Sequence, residues 1–125
     1  MMDHRVVSDN GLASKPGGCT IDVRLPWYRA LPLSTVRLEA VEIDGETIDP
    51  ARVSFELEGE KLRPADLAAR TDKWWYVLDS AFVHVDGKET PKGTSHDVAV
   101  TISFRPPYIM GLNRIVRTAK TLVAQ

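Results

Sequence analysis

The chain has 125 residues, 43% of them hydrophobic, a formal net charge of −1 and one cysteine, Cys19. That length suits a single domain burying roughly two thirds of its unfolded surface without staples. The charge balance speaks against nucleic-acid and acidic-membrane partners, and one cysteine rules out an intrachain disulfide and a cysteine-rich zinc framework.

Residues 1–18 are rich in Ser, Asp, Asn, Gly and Pro and lack an apolar signal core, so they read as a flexible arm without a secretory signal. No apolar run approaches the ~20 residues of a membrane span, and a cytoplasmic location is expected. From Ile21 a strand begins, with Ile21, Val23 and Leu25 on one face and Asp22 and Arg24 on the other. It breaks at Pro26, passes through Trp27, Tyr28 and Arg29, and breaks again at Pro32. Two prolines exclude a helix or a central strand there. The aromatics and arginines between them have the composition of interface anchors rather than of an ordinary polar loop. Arg24, Pro26, Trp27, Tyr28, Arg29 and Pro32 are therefore candidate interface residues. The plainer alternative is that Trp27 and Tyr28 fold back onto their own sheet.

Val36, Leu38 and Ala40 alternate with Arg37 and Glu39, and Val41 and Ile43 continue in the opposite phase, which predicts a β-bulge. Asp44-Gly45 predicts a tight hairpin, and Glu58-Gly59 a second turn after the alternating Val53, Phe55 and Leu57. Glu56 and Glu58 form a carboxylate pair on what reads as one solvated strand face. Pro64–Arg70 suggests a helical turn with Pro64 at its start. Strand-like runs follow at 73–78, 81–85 and 97–104, the last ended by Pro106-Pro107. Short strands spaced by turn residues predict an all-β, antiparallel, sandwich or jelly-roll-like domain over 19–110. Its expected core holds Ile21, Val23, Val36, Leu38, Val53, Phe55, Val98, Val100 and Ile102. Ile115, Val116, Ala119, Leu122 and Val123 recur at near-helical spacing behind Asn113, so the tail 111–125 reads as a short C-terminal helix.

Chemistry-bearing residues are sparse. His4, His84 and His96 show no ligand spacing. Cys19 has no base near it in sequence, and Ser34 suits backbone capping better than attack. No phosphate-binding glycine loop and no hydrolase or metalloprotease motif occurs. No catalytic, cofactor or metal residue is assigned to this chain. Two further readings of the residues stay open. One is a sugar-processing β-sandwich enzyme using His84, His96 and a carboxylate. The other is a carbohydrate-binding domain stacking sugars on Trp27, Tyr28, Trp74 and Trp75.

Five blocks together carry a family resemblance: Arg24-Leu25-Pro26-Trp27-Tyr28-Arg29, Leu31-Pro32-Leu33-Ser34, Asp44-Gly45-Glu46, Trp74-Trp75, and Gly93 with His96. Spanning roughly Ile21 to Tyr108, they resemble the small β subunit of bacterial C-glycoside deglycosidases. Thr90-Pro91-Lys92 stands where that pattern has a glycine-leucine pair, and the tail after Pro107 is longer and more basic.

The resemblance implies a β-sandwich that stabilises a TIM-barrel α subunit of the sugar-phosphate isomerase and epimerase type, in a hetero-oligomer. That partner would hold Mn2+ or another divalent metal and the acid-base groups. The complex would be a carbon–carbon lyase acting on 3-oxo-C-glucosides, as in flavonoid C-glycoside catabolism. The 3-keto group acidifies the C2 proton, a base removes it, and the aglycone leaves C1 by β-elimination. On this resemblance, the first loop docks the chain onto the barrel.

Overall fold

The computed structural model describes residues 6–125, so His4 lies outside the described residues. Eleven strands form in chain order: β1 (Val7–Lys15), β2 (Gly18–Val23), β3 (Leu31–Pro32), β4 (Val36–Ile43), β5 (Glu46–Thr47), β6 (Val53–Leu57), β7 (Glu60–Leu62), β8 (Trp74–Trp75), β9 (Ala81–Asp86), β10 (Ser95–Phe104) and β11 (Arg114–Val123). One sheet runs β1-β2-β9-β6-β7, the other β11-β10-β4-β5, and β3 pairs with β8 as a small ribbon. The strand pairs are antiparallel.

The period-two sequences place alternate side chains inward, so Val53, Phe55 and Leu57 of β6 face the core with Ala81, Val83 and Val85 of β9. Both sheets contribute to one hydrophobic core, making the all-β, single-domain architecture that the alternation predicts. Every expected core residue is buried except Leu38, which packs half-buried on the flank of the core. The bulge lies where the phase flips. Ala40 pairs with Thr101 and Leu38 with Ile102, leaving Glu39 as the extra residue. Asp44 (φ 53°) and Gly45 (φ 81°) form the first tight turn, and Glu58 and Gly59 repeat those angles in the second. Pro64 opens a 3-10 helix over Pro64–Ala69.

Both termini differ from the expectation. Residues 7–15, read as flexible arm, form β1 against β2. At Asn10-Gly11 this strand carries a bulge: the register shifts between Val7 and Leu12, and Asn10 adopts φ 58°. The expected C-terminal helix is a strand. β11 pairs with β10 from Ser95↔Val123 to Phe104↔Arg114, burying Val116, Thr118 and Leu122. The tail carries both periods, and the otherwise open edge of β10 selects the period-two one. Ile115, Val116, Thr118, Thr121 and Val123 also favour extended backbone through their β-branches. Beyond β11, Gln125 joins the two sheets: its N–H donates to the Leu12 carbonyl (3.0 Å) and its carbonyl accepts from Ser14 N–H (3.1 Å).

Candidate subunit interface

The 24–30 loop leaves β2 at one end of the sandwich. The Arg24 N–H donates to the Val6 carbonyl (2.9 Å), closing the strand end. Leu25 and Pro26 are buried, anchoring the loop from beneath. Pro26 has no N–H to continue the ladder, so the chain turns outward there. Pro32 is half-buried in β3 opposite Trp74, and its carbonyl accepts from the Thr35 hydroxyl (2.7 Å).

Between these anchors the aromatics divide. Trp27 turns inward, half-buried, with its ring centroid 5.2 Å from Phe104 and 4.7 Å from Tyr28. Its indole N–H donates to the hydroxyl of Tyr108. Tyr28 is 57% exposed. Arg29 is exposed, its guanidinium 4.8 Å from the centre of the Tyr108 ring, a cation–π contact. Trp27 therefore packs inward against Phe104 of the second sheet, while Tyr28 and Arg29 are exposed.

Tyr108 ties this loop to the one joining β10 and β11, which sequence reasoning left out. A signal was present: Arg105-Pro106-Pro107-Tyr108 repeats the arginine, proline and aromatic composition of the first loop. Exposed Tyr108, Met110 and Ile115 extend the surface.

The other candidates are scattered. His84 lies on the outer face of the first sheet, its Nε2 2.6 Å from Glu56 Oε1 and its Nδ1 3.1 Å from Lys15 Nζ. Glu58 does not share a strand face with Glu56, because it occupies the turn. His96 sits on the second sheet, its Nδ1 2.7 Å from Asp44 Oδ2 and its Nε2 2.8 Å from the Thr94 hydroxyl. The hydrogen bond with His96 holds the Asp44 carboxyl below its ordinary value. The two histidines therefore do not converge. Among the described residues no three His, Cys, Asp or Glu side chains are grouped to hold a metal.

Burial pushes the Cys19 thiol up, away from the thiolate a nucleophile needs. Ser34 lies in a 3-10 turn, its N–H donating to the Arg70 carbonyl (3.1 Å). The four-aromatic sugar platform does not form. Trp75 is fully buried edge-on against Phe55 (5.4 Å), and its indole N–H donates to the Asp79 carbonyl (3.0 Å). No helix among the described residues is long and apolar enough to cross a membrane.

Residues 1–108 match the sequence model of the C-glycoside deglycosidase beta subunit family. The chain is 36% identical over 121 residues to the 3'-dehydrocarminate deglycosidase beta subunit of a Microbacterium species, covering 97% of this chain and 91% of the relative. It is 31% identical over 110 residues to a C-glycoside deglycosidase beta subunit of Microbacterium trichothecenolyticum, covering 88% and 83%. A C-glycoside deglycosidase beta subunit of Arthrobacter globiformis is 29% identical over 110 residues, covering 88% and 84%. With the fold, the loop and these matches together, the chain belongs to the C-glycoside deglycosidase beta subunit family.

Proposed function

We propose that the chain is the non-catalytic, stabilising subunit of a cytoplasmic C-glycoside deglycosidase, a carbon–carbon lyase. It docks on a TIM-barrel partner of the sugar-phosphate isomerase and epimerase type within a hetero-oligomer. The observation that carries this reading is the pairing of family membership with an outward Tyr28–Arg29–Tyr108 cluster at one end of the fold. The partner supplies the acid-base groups and a divalent metal, expected to be manganese. The residues of this chain do not fit that metal, because His84 and His96 lie on different sheets with both ring nitrogens engaged. The relative named for 3'-dehydrocarminate supports an oxidised C-glycoside as the substrate class.

The part of this chain is mechanical. Leu25 and Pro26 beneath the loop, and Trp27 against Phe104, hold Tyr28 and Arg29 in place before docking. Less entropy is then lost when the complex forms. The test is co-expression with a metal-dependent barrel subunit encoded beside this gene, followed by an assay on a 3-oxo-C-glucoside. Co-purification with activity only in the complex is expected. Cleavage by this chain alone, or a fully active barrel without it, overturns the reading.

A further inference from the structure

Resting on the reading that this chain docks on a catalytic subunit, we infer that the dock is the whole end of the sandwich built by residues 24–37 and 105–114, and that the partner face it meets is acidic. These two segments contain five arginines, Arg24, Arg29, Arg37, Arg105 and Arg114, and no lysine, aspartate or glutamate. The fold brings them together. Trp27 and Arg29 both engage Tyr108, Arg37 pairs with Ser103 across β4 and β10, the Arg105 N–H donates to the Thr35 carbonyl (3.0 Å), and Arg114 pairs with Phe104. Arg37 and Arg105 line one cavity of about 130 Å³ together with one carboxylate, Glu39.

Among the described residues none of the five has a carboxylate within 4.0 Å, whereas Arg52, Arg70 and Arg117 elsewhere are paired to Glu46 (3.9 Å), Asp72 (2.9 Å) and Glu42 (3.1 Å). Among the described residues, Arg63, ahead of the Pro64–Ala69 turn, also makes no ion pair. Of the carboxylates nearest in chain or pairing, Asp22 accepts from the Ser8 hydroxyl (3.2 Å) and Glu39 from the Ser103 hydroxyl (2.6 Å). Asp79 holds Trp75 through its backbone carbonyl and makes no ion pair.

Uncompensated like charge at one end of a chain whose net charge is −1 is costly to keep unless something answers it. The same end exposes Tyr28, Tyr108, Met110 (98%) and Ile115 (66%). Arginine, tyrosine and methionine are enriched in protein interfaces, and lysine is depleted. That mixture favours a protein surface over a phosphate backbone, which needs charge but no apolar cover. An acidic partner face would pair with the arginines and steer the encounter.

The test measures association of the full chain with its catalytic subunit by biolayer interferometry at 50 and 300 mM NaCl. The association rate constant is expected to fall about tenfold across that range, because screening shortens the reach of exposed charge. Arg105→Glu with Arg114→Glu should lower it about tenfold at low salt, while Lys61→Glu with Lys92→Glu stays within about twofold. Arg105→Gln with Arg114→Gln serves if the reversed pair does not fold, and should flatten the salt dependence. A complex that forms but is indifferent to salt and to these arginines overturns this inference and leaves the subunit reading standing. Absence of any complex at either salt overturns the subunit reading itself. Tighter binding to heparin than to the catalytic subunit shows that the cluster is a polyanion site, and also overturns the inference.

Discussion

Trp27 and Tyr28 are neighbours in sequence, yet their truncations should fail in opposite ways. Trp27→Ala removes a half-buried ring from Phe104 and a hydrogen bond to Tyr108. A fully buried aromatic costs about 3–5 kcal/mol on truncation to alanine. Half that burial gives about 2 kcal/mol, or a fall of roughly 6–10 °C in the melting temperature of a domain this size. Tyr28→Ala removes a ring that is 57% exposed, so the isolated chain should lose less than about 0.5 kcal/mol. As an interface anchor Tyr28 should instead contribute about 2 kcal/mol to docking, about a 30-fold loss of affinity. Thermal unfolding by circular dichroism on each isolated variant, with titration calorimetry against the catalytic subunit, separates the two effects. A Tyr28→Ala chain that melts early but docks normally, or a Trp27→Ala chain that melts like the parent, refutes the division of labour.

Deleting residues 111–125 strips β10 of its partner along ten paired residues. The truncated chain is expected to aggregate or lose its cooperative melt, and an unchanged calorimetric transition would count against β11 as an integral strand. Asp44 is held low by His96, so the folded state binds fewer protons than the unfolded chain as pH passes through the carboxylate range. Its stabilisation is full above about pH 4 and disappears as pH falls through the folded value. The gap in melting temperature between the parent and Asp44→Asn should therefore narrow from pH 6 to pH 3, and a gap independent of pH would contradict the linkage. Gly18→Ala would place its Cβ 2.0 Å from the Val85 carbonyl oxygen. A loss of about 1–3 kcal/mol in urea unfolding is expected, and no change would contradict the close β2–β9 approach.

Local chemistry made much of the fold legible. Asp44-Gly45 and Glu58-Gly59 each specify a turn through backbone angles that few residues accept. The phase flip after Ala40 announced the bulge, because a period of two cannot reverse without an extra residue. Distance in sequence hid the rest. Nothing local tells Ile115 to Val123 that β10 has an open edge, and the same residues satisfy helical spacing equally well. Residues 7–15 read as a flexible arm until β2 is known to run alongside them. The first loop could be found from composition alone. Its partner residue Tyr108 lies 81 positions from Trp27, and only the fold makes them neighbours.

The seam at Gln125 has a consequence for the making of this protein. Gln125, just beyond β11, bonds to β1 there, so β1 must wait for these contacts until the end of β11 has been made. Closure is among the longest-range pairings the chain contains, and such pairings are slow to form. The opposite edges of the two sheets, β7 and β5, are only three and two residues long and offer little template to a passing strand. The period of greatest aggregation risk therefore falls before β11 docks, while the ten-residue β10 still lacks its partner.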